Sequence, residues 1–99
     1  MRSRKLEENN KCAVITVLGK DMVGILAKVS AICAENSVNV IEVTQSVMQD
    51  LFAMIMMVDI SSCKIPFSQL SDVFTALGKK EGLTIHVMHE DIFNSMHKI

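Results

Sequence analysis

The apolar residues of this chain change period cleanly from one segment to the next. Cys12 to Leu18 is a run rich in Val, Ile and Thr and predicts a first strand. Helical spacing follows: Met22, Leu26, Val29 and Cys33, flanked by Ile25 and Ile32, form one stripe, with Lys28 and Glu35 opposite. Asp21 is the expected N-cap of this helix, because a short carboxylate can accept from first-turn amides, and the helix should end near Asn36-Ser37. Val38 to Val47 reads as a second strand, only partly buried because Glu42, Thr44, Gln45 and Ser46 interrupt it. The step from Val40 to Val43 breaks strict alternation, as a bulge does. Met48-Gln49-Asp50 then turns the chain.

Leu51 to Ile60 predicts a third strand in which Asp59 alone is not apolar, so both of its faces need cover. Pro66 suits the start of a second helix with the stripe Phe67, Leu70, Val73, Phe74 and Leu77. Lys79 and Lys80 favour the negative end of its dipole, and Gly82 is the expected stop. Leu83 to His89 alternates as a fourth strand. Asp91 can cap a short helix with Ile92, Phe93, Met96 and Ile99 on one side, a segment too short to persist unless it docks.

The order strand, helix, strand, strand, helix, strand defines an α+β, ferredoxin-like βαββαβ sandwich: a four-stranded antiparallel sheet with two helices on one face, plus a short C-terminal helix. The most apolar strands, the first and third, belong at the centre; Glu42, Gln45, Thr84 and His86 mark the second and fourth as edges. In this plan the third strand presents Phe52, Met54, Met56 and Val58 to one face and Leu51, Ala53, Ile55 and Met57 to the other. Both sets are apolar, so the helix-free face also calls for cover, which predicts a homodimer or higher homo-oligomer; the C-terminal helix is the rival cover.

Composition narrows the class. The 99 residues fit one domain, divided as a flexible polar tail over 1–11, a folded unit over 12–89 and the short C-terminal helix over 90–99. Although 49% of the residues are hydrophobic, no run is long enough to span a bilayer and no apolar signal region opens the chain, so a soluble cytoplasmic protein is expected, with no membrane contact. Cys12, Cys33 and Cys63 are odd in number, lie in apolar surroundings and lack Cys-x-x-Cys spacing, which points to buried free thiols. A net charge of -1 with no basic stripe beyond the tail leaves no footprint for direct nucleic-acid binding.

The candidate site is the turn Gly19-Lys20-Asp21-Met22-Val23-Gly24 between the first strand and the first helix. A helix start offers amides without intrahelical partners and the positive end of the macrodipole, so a carboxylate can be held there without a charged side chain. Gly24 has no side chain to keep a ligand away. Other chemistries find no residues. A heavy-metal transfer loop needs Cys-x-x-Cys, an acylphosphatase-like loop needs an arginine, and no arginine follows Arg4. RNA-recognition sheets stack bases on strand aromatics, but Phe52 is the only Phe, Tyr or Trp in the four strands. His86 and His89 fall on opposite faces of one strand, no carboxylate pair is marked, and the methionines lack a ligand-spaced partner. No catalytic residue, no metal site and no cofactor is therefore expected.

Cys12 to Ile41, with Gly19-Lys20-Asp21-Met22-Val23-Gly24-Ile25 and Asn36-Ser37-Val38-Asn39-Val40, resembles the first βαβ half of an ACT domain, a small amino-acid-sensing regulatory module. Thr44-Gln45-Ser46-Val47, Asp50-Leu51-Phe52-Ala53-Met54 and Ile92-Phe93-Asn94-Ser95-Met96 are similar to the small stand-alone ACT proteins that resemble the glycine cleavage system transcriptional repressor, a likeness covering about residues 12–96. The resemblance implies a non-enzymatic regulatory module that binds a small amino acid at a subunit interface and regulates a partner protein. It implies a pocket made by Asp21, Met22, Val23, Gly24 and Ile25 of one subunit with Asn39, Val40 and Ile41 of its neighbour. Two positions depart from the family pattern. Val23 stands where proline is common and Ile41 where an acidic residue often meets the ligand's ammonium, leaving Glu42 as the nearest acid. The alternative is a ligand-free protein-interaction or assembly domain.

Overall fold

The computed structural model describes residues 11–20 and 23–96, the side chain of Met48 excepted. The elements are β1 (Cys12–Gly19), α1 (Ile25–Glu35), β2 (Asn39–Met48), β3 (Leu51–Asp59), α2 (Phe67–Glu81), β4 (Thr84–His89) and α3 (Glu90–Met96). The strands form one sheet in the order β2-β3-β1-β4 with every neighbouring pair antiparallel. The most apolar strands are thus central, and the strands with polar interruptions are edges, as the pattern predicts. The tail reading over 1–11 falls almost entirely on residues outside the described ones, and Ile99 of the C-terminal stripe is outside them too.

Period-two alternation decides which side chains make the core. Phe52, Met54, Met56 and Val58 of β3 are all but fully buried with Ala13, Ile15 and Val17 of β1. Ile25, Val29 and Cys33 of α1 and Leu70 and Phe74 of α2 join the same cluster, so both helices cover one face of the sheet. On the surface, Lys28 Nζ reaches Glu81 Oε2 at 2.8 Å and bridges α1 to α2. The pairing of β2 with β3 shifts between Val40 and Glu42, so the bulge expected near Val40 is present, with Ile41 the extra residue. Gln49, with φ 57°, carries the tight turn that pairs Met48 with Leu51.

Helix ends follow local chemistry. The Asn36 side chain donates to the Ile32 carbonyl at 2.9 Å and the Val38 amide donates to Cys33 at 2.8 Å, closing α1. The Lys64 amide donates to the Asn36 carbonyl at 3.0 Å and ties the loop before α2 to that end. Pro66 caps α2, and Gly82, with φ 72°, stops it. One turn earlier, Gly78 is buried against β4: a Cβ there would lie 2.7 Å from the Leu83 carbonyl oxygen.

Two starts differ from expectation. Helix α1 begins at Ile25 with Gly24 as N-cap, three residues beyond Asp21, because a left-handed Gly24 redirects the chain directly into the helix. Helix α3 begins at Glu90, since β4 runs into it without a loop; Asp91 lies in its first turn, where its charge suits the positive dipole end.

The helix-free face is covered unevenly. α3 packs back on β1 and β4, and Val14 on this face is fully buried. Further along, Leu18, Leu51 and Ile55 remain 43%, 39% and 39% exposed.

Candidate functional site

The turn after β1 places a glycine and a helix start at one point. Gly24 sits at φ 74° and ψ 0°, and α1 has no acidic residue in its first turn and no side-chain cap. The helical ladder opens with the Lys28 amide donating to the Gly24 carbonyl at 3.0 Å, which leaves the amides of Ile25, Leu26 and Ala27 ahead of it. Among the described residues, its two chain neighbours aside, nothing lies within 4 Å of where a Cβ on Gly24 would stand. The result is an open cradle of N–H groups at the positive dipole end, suited to a carboxylate. Val23 beside it is exposed; Asp21 and Met22 lie outside the described residues.

The other half of the expected site is elsewhere. Asn39, Val40 and Ile41 are exposed at the start of β2, on the free edge of the sheet. Asn39 pairs with Asp59, which pairs with Cys12, whereas Gly19 pairs with Phe52 and thence Val47. The Gly24 turn and Asn39 therefore occupy opposite ends of the sheet, separated by the length of β1, roughly 23 Å at about 3.3 Å per residue. One chain does not bring the two halves together.

A family model for the ACT domain matches residues 11–88. The chain belongs to this family. A UPF0237 protein of Clostridium perfringens is 51% identical over 87 residues, which cover 88% of this chain and 98% of that protein. An ACT domain protein from Streptococcus pneumoniae superimposes with a TM-score of 0.73 at 36% identity, over 84% of this chain and 93% of that one. A solved structure named for a glycine cleavage system transcriptional repressor shares the fold, with a TM-score of 0.68 at 20% identity over 81% of this chain and 46% of that one.

The rest of this ACT domain carries little that titrates in its interior. Among the described residues no polar or charged side chain is buried, no group of three or more metal-binding side chains gathers, and no helix is long and apolar enough to cross a membrane. None of the three cysteines is in a disulfide; Cys12 and Cys33 are buried as expected, whereas Cys63 is only half-buried. Burial, with a smaller contribution from Cys63 nearby, pushes the Cys33 thiol up to about 11, so it stays protonated and unreactive at neutral pH. His89 stacks on Phe67 with ring centroids 4.0 Å apart and spends its ring on packing α2 against β4. Nothing in the local sequence marks that contact, because it joins residues more than twenty positions apart.

Proposed function

We propose that this ACT domain is a non-enzymatic, cytoplasmic regulatory module: a homodimer that binds a small amino acid at its subunit interface and passes that state to a partner protein. The observation that carries the reading is the separation of the two half-sites along a free-edged sheet. Two copies joined antiparallel through their β2 edges, centred near Val43 and Thr44, would bring Asn39 of the second copy to the Val47 end of the first. That is the end at which α1 starts. Exposed Val40, Ile41, Val47 and Leu26 supply apolar surface along the same edge. In such a pocket the amides around Gly24 meet the ligand carboxylate, the Asn39 amide donates and accepts, and Glu42 is the acid available to the ammonium.

Light scattering tests the assembly: a dimer is expected at micromolar concentration, and an 11 kDa species alone would overturn it. Calorimetry against the twenty amino acids tests the ligand. One or a few small ones should bind and Gly24→Leu should abolish binding while leaving the dimer intact; a flat response from folded protein at millimolar ligand would refute sensing. Val23 and Ile41, which depart from the ligand-binding pattern, favour the second reading, a ligand-free assembly domain. A dimer with no amino-acid response would support it.

A further inference from the structure

On the helix-free face, opposite the face that α1 and α2 cover, α3 and the strands border an open cleft of about 310 Å³. Leu18 and Ile55 form its floor, and Phe93 and Met96 of α3 its wall. Two polar side chains interrupt this apolar lining: Thr16 and His86, which are directly paired between β1 and β4 and so share the face. The Thr16 hydroxyl donates one hydrogen bond, and a ring nitrogen of His86 donates another in either protonation state. Among the described residues no carboxylate lines the cavity. The lining therefore offers two hydrogen-bond donors to an acceptor head group on a hydrocarbon body, and among the described residues no negative charge opposes a carboxylate there.

We propose that this cavity binds a small aliphatic carboxylate, with its head group on Thr16 and His86 and its chain lying between Ile55 and α3. The volume stands at the lower end of the roughly 300–1,000 Å³ typical of small-molecule sites. The cleft lies between a helix and a sheet, a space that a narrow hydrocarbon chain fits. The proposal also accounts for α3 itself. A helix of seven residues persists only when it docks; α3 docks on β1 and β4 with none of its residues fully buried, and the ligand's chain would extend that packing.

Octanoate is the probe, followed by two-dimensional NMR and amide hydrogen exchange on the full chain, with octylamine and octanol as head-group controls. Octanoate at low millimolar concentration should shift resonances of residues 16, 55, 86 and 93 and slow exchange over residues 92–96. The double variant Thr16→Val/His86→Ala should weaken binding by at least about tenfold, the loss expected for even one hydrogen bond to a charged group. Ile55→Trp, at a partly exposed position, should fill the cleft and abolish binding without unfolding the domain. The proposal is overturned if octanoate leaves these resonances unmoved, or if octylamine or octanol binds equally well. It is overturned too if the double variant binds as wild type, or if Ile55→Glu splits a dimer whose sheet face octanoate never reaches. A full set of amino acids should fail to displace octanoate; displacement would refute a site separate from the Gly24 pocket.

Discussion

Replacing Gly78 by alanine sets two effects of known sign against each other. Gly78 lies inside α2, four residues before the helix stops, and an alanine in a helix interior is favoured over glycine by about 1 kcal/mol. In this helix the added methyl would stand 2.7 Å from the Leu83 carbonyl oxygen and 3.4 Å from Ile85 Cγ1. The carbonyl belongs to backbone, which gives way less easily than a side-chain tip. The Leu83 amide is held by the Gly78 carbonyl at 2.8 Å, and the next residues, Thr84 and Ile85, are laddered to Leu18 and Val17 of β1. Relief therefore requires α2 to lift from β4, an overpacking cost of about 1–3 kcal/mol. We expect the overpacking to outweigh the gain, so that Gly78→Ala lowers stability by up to about 2 kcal/mol, read as a reduced urea midpoint at unchanged slope. Thr75→Ala, exposed on the same helix, is the control and should be neutral or slightly stabilising. If Gly78→Ala matched or exceeded wild-type stability, the close approach of α2 to β4 would be refuted.

Three further outcomes follow from the packing. Phe74→Ala removes a fully buried ring shared by both layers and should cost about 3–5 kcal/mol, enough to leave much of a domain this size unfolded on thermal melting. The Cys33 thiol is raised in the folded state, so its contribution to stability is fully present below pH 9.0 and is lost as pH rises through about 11. Urea titrations across that window should show a decline that Cys33→Ala flattens; an equal decline in the variant would assign it to other groups. The half-exposed Lys28–Glu81 pair should contribute less than about 1 kcal/mol, so Glu81→Gln should shift the midpoint little, and less still in high salt.

The strand pattern was legible because burial on a sheet has a strict period. Nine apolar residues in ten at Leu51–Ile60, with Asp59 the exception, announced a central strand, and the misfit between Val40 and Val43 announced the bulge. The start of α1 was not legible to the same degree. Asp21 has the side chain of a cap, but Gly24 makes the turn through a left-handed backbone, a conformation that sequence preference does not weigh against a carboxylate. The candidate site was readable only in halves. Gly24 carries a local signal and Asn39 is reached through the family resemblance, while their placement at opposite ends of the sheet is a property of strand direction. The cleft under α3 gave no signal either, since Thr16, His86 and Phe93 come from three elements and meet only through register.

The opposite placement of Gly24 and Asn39 also bears on how a measured affinity should be read. In the proposed dimer each pocket borrows one end from each chain, so two equivalent pockets appear together and vanish together on dissociation. Ligand then stabilises assembly and assembly raises apparent affinity by the same mass-action factor. An apparent Kd for the amino acid would accordingly fall as protein concentration rises, and dilution alone would release ligand.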